Sequence, residues 1–116
     1  MNRLENKNIL ITGASSGIGR ECAIHCYKEG AKVHLLGRNE NSLNEIYSRL
    51  NDKNNSYHIL DLRDFAKYQS IIEDIVDKYG KIDGFIHSAG YQITLPISSM
   101  DYKQYIDIFE VNTISA

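Results

Sequence analysis

Short apolar runs alternate along this chain with longer stretches that repeat at helical spacing. Residues 7–12, Lys-Asn-Ile-Leu-Ile-Thr, form the first run and end at Gly13. An Ile-rich run of this length, closed by glycine, predicts a buried strand. From Gly17 to Glu29, Ile18, Cys22, Cys26 and Tyr27 fall at helical spacing, and Gly30 supplies a stop. A second strand is predicted over Ala31–Leu36. A second helix follows over Asn39–Leu50, with a stripe at Leu43, Ile46, Tyr47 and Leu50. Tyr57–Leu60 reads as a third strand. The clearest helix runs from Asp64 to Tyr79: Phe65, Tyr68, Ile72, Ile75, Val76 and Tyr79 make one face, and Gly80 ends it. Ile82–His87 is predicted as a fourth strand. Gly90–Ser98 is a loop holding the only proline, Pro96. Ser99 is placed to cap a last helix starting near Met100, with Asp101 in its first turn.

Strand and helix in strict alternation predict an α/β fold, a three-layer doubly wound parallel sheet with helices on both faces. Right-handed crossovers then leave few topologies, and the expected strand order is 3-2-1-4. Residues 1–116 read as one such domain. Tyr105, Ile106, Phe109 and Ile114 keep helical spacing up to Ala116 without a stop signal. The expectation is that the domain is cut inside a helix, with its fourth strand left as an open edge.

Composition narrows the function classes. The chain has 116 residues, 42% of them hydrophobic and 24% charged, with a net charge of −2. No basic face is implied, so nucleic acid and anionic membrane are poor partners. No apolar run approaches the length of a membrane span, and residues 1–7 lack an apolar signal region, so a cytoplasmic location is expected. Cys22 and Cys26 lie four apart on one helix face. A metal or redox pair would need a second Cys or His cluster, so they read as small core residues, and no metal site is expected. Residues 51–55, Asn-Asp-Lys-Asn-Asn, read as a polar loop.

The chemistry begins at Thr12-Gly13-Ala14-Ser15-Ser16-Gly17-Ile18-Gly19, after the first strand and opening the first helix. Gly13 suits a tight turn, Gly17 lets backbone approach a pyrophosphate, and Gly19 lets helix and strand pack closely. Free N–H groups and the helix dipole would hold the negative charge, with Ser15, Ser16 and Ile18 beside it. In this strand–turn–helix setting the glycine triplet predicts a Rossmann-like dinucleotide site. The eight residues resemble the cofactor fingerprint of the short-chain dehydrogenase/reductase family. Their Gly-x-x-x-Gly-x-Gly spacing fits the short single-domain members better than the sugar-nucleotide epimerase branch.

An enzyme of this fold that uses NAD places an acid at the end of the second strand to hold the ribose hydroxyls. Here the position reads Leu36-Gly37-Arg38-Asn39. An acid would repel a 2′-phosphate, whereas a guanidinium can pair with it. NADP (NADPH) is therefore favoured over NAD, unless Arg38 is only a solvated residue at a helix start. The resemblance implies that Asp61 and Leu62 meet the adenine ring, the carboxylate taking its amino group. Alternatively, Asp61 only caps the helix starting near Asp64. His87-Ser88-Ala89-Gly90 stands where the family usually has Asn-Asn-Ala-Gly. Ala89 and Gly90 still permit close approach to the cofactor ribose, and Ser88 can keep one hydrogen bond. How firmly the fourth strand is tied to its neighbour is then in question. His87 itself reads as a packed core histidine.

In the resembling family an Asn near the position of Asn112 kinks its helix, and its backbone carbonyl holds a water in a proton relay. That role is carried to Asn112 as the one catalytic residue assigned; the alternative is an exposed polar helix residue. The family's acid/base is a Tyr with a Lys four residues later. None of the eight tyrosines here has that Lys. The resemblance thus implies an NADP(H)-dependent oxidoreductase acting on a small-molecule carbonyl or alcohol, homo-oligomeric at full length, with this chain as its cofactor-binding half. A non-catalytic dinucleotide-binding or sensing module is the alternative. Tyr91, Ile93 and Leu95 are candidates for one wall of a substrate pocket.

Overall fold

Asn8–Thr12 is the most continuously apolar segment next to a glycine, and it forms strand β1, buried along its whole length. The computed structural model describes residues 2–90 and 94–115. β1 is followed by α1 (Gly17–Lys28), β2 (Lys32–Gly37), α2 (Glu40–Arg49), β3 (Ser56–Ile59), α3 (Phe65–Tyr79), β4 (Gly84–His87), a 3₁₀ turn (Ile97–Ser99) and α4 (Tyr102–Phe109). α4 continues into a π-helical turn at Glu110–Ile114. The four strands are parallel in the order β3-β2-β1-β4, as the alternation predicts.

The strands' period of two divides the core between the faces. Ile9, Ile11, Val33 and Leu35 pack with Ala23 of α1 and with Leu43 and Ile46 of α2. Leu10, Leu36, Leu60 and Leu62 pack with Ile75 of α3. Cys22 and Cys26 are free thiols half-buried against the first cluster, and burial beside Cys22 pushes the Cys26 thiol up. The expected helix stripes need two corrections. Ile18 is 77% exposed, because the first turn of α1 faces the glycine bend and not the sheet; Gly19 and Ala23 are buried instead. On α3, Phe65 and Val76 are exposed, and the sheet-facing set is Tyr68, Ile71, Ile72, Ile75 and Tyr79.

The last helix also starts differently. Ser99 lies in the 3₁₀ turn after Pro96, and Asp101 is the cap. Its carboxylate accepts the Gln104 N–H at 2.9 Å, while the Gln104 amide oxygen accepts the Asp101 N–H at 2.9 Å. This reciprocal box satisfies two N–H groups that would otherwise lack partners. Asp101→Ala is expected to loosen α4 by about 1 kcal/mol, read as faster amide exchange in its first turn.

At the N-terminal end of the sheet, polar groups are buried in a closed set. The Asn55 Oδ1 accepts the Val33 N–H at 2.7 Å, inside what reads in sequence as an ordinary polar loop. The Asn8 amide donates to the carbonyls of Tyr79 (3.1 Å) and Lys81 (3.0 Å). Its oxygen is left to accept from His34 Nε2 at 3.1 Å. The proton of the neutral ring therefore sits on Nε2, and Nδ1 accepts from the Ser56 hydroxyl at 2.7 Å. Ser56 in turn accepts from His58 Nε2 at 3.1 Å. Burial, with smaller contributions from His58 and Lys32, pushes His34 down to about 4.

Candidate functional site

The opposite, C-terminal end of the sheet opens into a cleft of about 870 Å³. That is where parallel α/β sheets place ligands, at the point where strand order reverses between β1 and β4. One wall is the bend between β1 and α1. Gly13 has φ +64°, and a Cβ there would lie 2.6 Å from the Ala89 nitrogen. Only glycine permits both that conformation and that contact. Gly17 has φ +57°, and a Cβ there would meet nothing within 4 Å, so the backbone faces open cleft. Gly19 is buried, its missing Cβ replaced by the Gly13 carbonyl; it shapes the bend without reaching the cleft surface. Ser16 caps α1 but its side chain makes no capping bond. Ser15, Ser16, Gly17 and Ile18 all line the cleft, beside the positive end of the α1 dipole.

The second wall comes from the end of β2. Asn39 Oδ1 accepts the Ser42 N–H at 3.0 Å, which starts α2 directly after Arg38. Arg38 is exposed on the rim and has no hydrogen-bond or ion-pair partner among the described residues. Glu40 and Asn41 complete this side.

Asp61 and Leu62 line the third side, after β3. Asp61 does not cap α3; Asp64 holds that position. The carboxylate of Asp61 is instead gripped by Arg63, through the backbone N–H (3.0 Å), Nε (3.1 Å) and Nη2 (2.8 Å). These bonds, with smaller help from Arg38, hold its carboxyl at about 2. Arg63 is a site residue that sequence reasoning missed. The available signal was Asp-x-Arg directly after a strand, the spacing of an Asx turn.

The fourth side is Ser88, Ala89 and Gly90. The Thr12 hydroxyl oxygen accepts the Ala89 N–H at 3.3 Å and shares a hydrogen bond with His87 Nδ1 at 2.9 Å. Thr12 and His87 are register partners in β1 and β4. The fourth strand is thus tied to its neighbour by His87, through a link between side chains that are 75 residues apart in sequence. The other ring nitrogen of His87, Nε2, is buried without a partner among the described residues. Val111 closes the cleft from the π-helical turn, and the Asn112 side chain packs on Gly90: a Cβ there would come 3.1 Å from Asn112 Oδ1. The Ser115 N–H reaches the Glu110 carbonyl at 2.8 Å, the wide spacing of a π turn, with Asn112 at its middle. Such turns cluster at functional sites. Tyr91 and Ile93 lie outside the described residues, and Leu95 is exposed away from the cleft.

Residues 7–116 match the family model for short chain dehydrogenases. The chain belongs to the short-chain dehydrogenase/reductase family. An uncharacterized oxidoreductase of Escherichia coli K12, YciK, is 36% identical over 115 residues, which cover 94% of this chain and 46% of that protein. A structure of an Escherichia coli CFT073 protein complexed with NADPH is 35% identical, with a TM-score of 0.89 over 99% of this chain and 51% of that one. A Shigella flexneri 2a protein complexed with NADP is also 35% identical, with a TM-score of 0.89 over 98% of this chain and 50% of that one. The chain spans about half the length of these short-chain dehydrogenase/reductase relatives. Among the described residues, no three His, Cys, Asp or Glu side chains gather as metal ligands, and no helix is long and apolar enough to cross a membrane.

Proposed function

We propose that this chain is the cofactor-binding half of an NADP(H)-dependent oxidoreductase interconverting a small-molecule alcohol and carbonyl. The observation that carries the reading is that one cleft joins the open bend at Gly13–Ile18 to Arg38, which has no hydrogen-bond or ion-pair partner among the described residues. The residues present fit a dinucleotide. At Gly17 the backbone is bare, and the space a side chain would take is left to a diphosphate. When bound, the nicotinamide supplies the hydride.

The protein's own residues bind and orient. Amides at the start of α1, with Ser15 and Ser16, hold the diphosphate. Arg38 pairs with the 2′-phosphate. Asp61 and Leu62 receive the adenine, and Ser88, Ala89 and Gly90 pass close to the nicotinamide-side ribose. The π-helical turn takes carbonyls out of the regular α-helical ladder. There the Asn112 carbonyl is assigned to hold a water that relays a proton. The NADPH- and NADP-bound neighbours support a nicotinamide dinucleotide as ligand, and the Arg38 position supports the phosphorylated form.

Gly17→Val is the direct test. Its side chain would fill the diphosphate's space while touching nothing in the folded protein, so the fold should persist with some strain at φ +57°. NADPH affinity, followed by cofactor fluorescence, is expected to fall by about tenfold or more. Unchanged NADPH affinity in the folded variant would remove the diphosphate from this bend and the proposed function with it.

A further inference from the structure

Arg63 belongs to no part of the machinery assigned so far, yet it dominates the surroundings of Asp61. Three hydrogen bonds from one residue reach that carboxylate, two at Oδ1 and one at Oδ2. A carboxylate offers about four acceptor positions, two per oxygen. One position remains, on Oδ2. The second Arg63 terminal nitrogen, Nη1, stands 3.7 Å from Asp107 Oδ1 on α4. The guanidinium is thus held from both sides, by the end of β3 and by the helix that leads into Asn112.

Stability does not explain this arrangement. Arg63 and Asp61 are 37% and 39% exposed, and ion pairs at such exposure contribute little. What a planar fork does is fix the plane of the carboxylate it grips. Arg38 is the other cation close enough to act on Asp61, and it does so less than Arg63.

We propose that Arg63 is a positioning residue for base recognition: its fork leaves Asp61 a single acceptor position, on Oδ2, that selects a purine carrying an amino group at C6. This rests on the nucleotide reading above and extends it to a residue outside that assignment. A 6-amino group donates to the remaining position. A 6-oxo group, as in hypoxanthine, presents an acceptor to an acceptor and is rejected. Free rotation of Asp61 would blunt the choice, because either oxygen could then turn away.

The experiment compares the dissociation constants of NADPH and its hypoxanthine analogue in wild type, Arg63→Ala and Arg63→Lys of the full-length protein. Wild type is expected to prefer NADPH by about tenfold or more, as a hydrogen bond to a charged group implies. Both variants should bring that ratio towards one, Arg63→Lys included, since lysine keeps the charge but not the fork. A uniform loss of affinity for both nucleotides, or a full ratio in Arg63→Lys, would overturn the positioning role while leaving the adenine site intact. A ratio of one already in wild type would overturn the adenine assignment of Asp61, and the proposal with it. Circular dichroism of each variant separates these results from unfolding, and Arg63→Lys serves if Arg63→Ala disturbs the loop.

Discussion

Replacing Arg38 with alanine is expected to weaken NADPH binding by about 10- to 150-fold and to leave NADH binding almost unchanged, since a charge-assisted hydrogen bond is worth about 1.5–3 kcal/mol. The direction follows from what Arg38 touches and what it does not. It stands on the cleft rim with no hydrogen-bond or ion-pair partner among the described residues, so the side chain takes with it only a minor electrostatic pull on Asp61. α2 still starts correctly, because its cap is Asn39 and not Arg38. The loss should therefore fall on the ligand carrying a phosphate where NADH has a hydroxyl. The difference should also shrink at high salt, since an exposed charge pair is screened. Isothermal titration of both cofactors with wild type and variant is sufficient. Equal losses for NADPH and NADH would show that Arg38 acts on something common to both and would sink the assignment.

The second large effect concerns stability and lies at the other end of the sheet. His34 is fully buried and neutral, pushed down to about 4, whereas in an unfolded chain it titrates near 6.5. Between these values the unfolded state binds the proton and the folded state does not. Stability therefore rises with pH across this window and is flat above it. On falling from pH 7 to pH 4 the protein should lose about 3 kcal/mol from this one group. The groups around it are Asn8 on β1, Ser56 and His58 on β3, Tyr79 on α3, and Lys32 on its own strand. His58 is displaced in the same direction by burial and adds to the slope. Asp61 acts in a separate window. Its carboxyl is held below the usual range, so its contribution is complete above about pH 4 and fades only towards pH 2. Urea unfolding at pH 7, 5 and 4 reads the first effect. In His34→Gln the dependence between pH 6.5 and 4 should flatten to what His58 leaves. An unchanged slope would mean that His34 is protonated in the folded state.

The parts of this structure that were legible in the sequence are those fixed by neighbours. Ile9 to Ile11 beside Gly13, or Gly80 after the α3 stripe, declare an element within a dozen residues. The strand order followed because parallel crossovers have one hand. The glycine bend was legible for the same reason, as a local steric requirement. What could not be read are contacts between distant positions. Nothing near Asn8 announces that its amide will hold carbonyls 71 and 73 residues away. Asn55 looks like loop filler until β2 is laid beside it. His87 read as a packed histidine, and its link to Thr12 appears only once β1 and β4 are in register. The cap of α4 was misplaced for a local reason. The segment after Pro96 turns once as a 3₁₀ helix before the α-helix begins, which moves the cap from Ser99 to Asp101. Ile18 shares the helical spacing of Cys22 and Cys26 but lines the cleft, because periodicity alone cannot tell a sheet-facing turn from one bent towards a ligand.

Glycines at 13 and 17 lay the backbone of the bend bare, and that bears on how the protein can diverge. Grip supplied by amides would be indifferent to which side chains stand at positions 15, 16 and 18, whereas Ala14 is fully buried in the core and has no such freedom. Positions 13 and 19 have no such latitude: a side chain at one collides with Ala89 and at the other with the bend itself, while at 17 it meets open cleft and a strained backbone. A chain only 35% identical to this one superimposes on it at a TM-score of 0.89, so the path of the main chain outlasts most of its side chains.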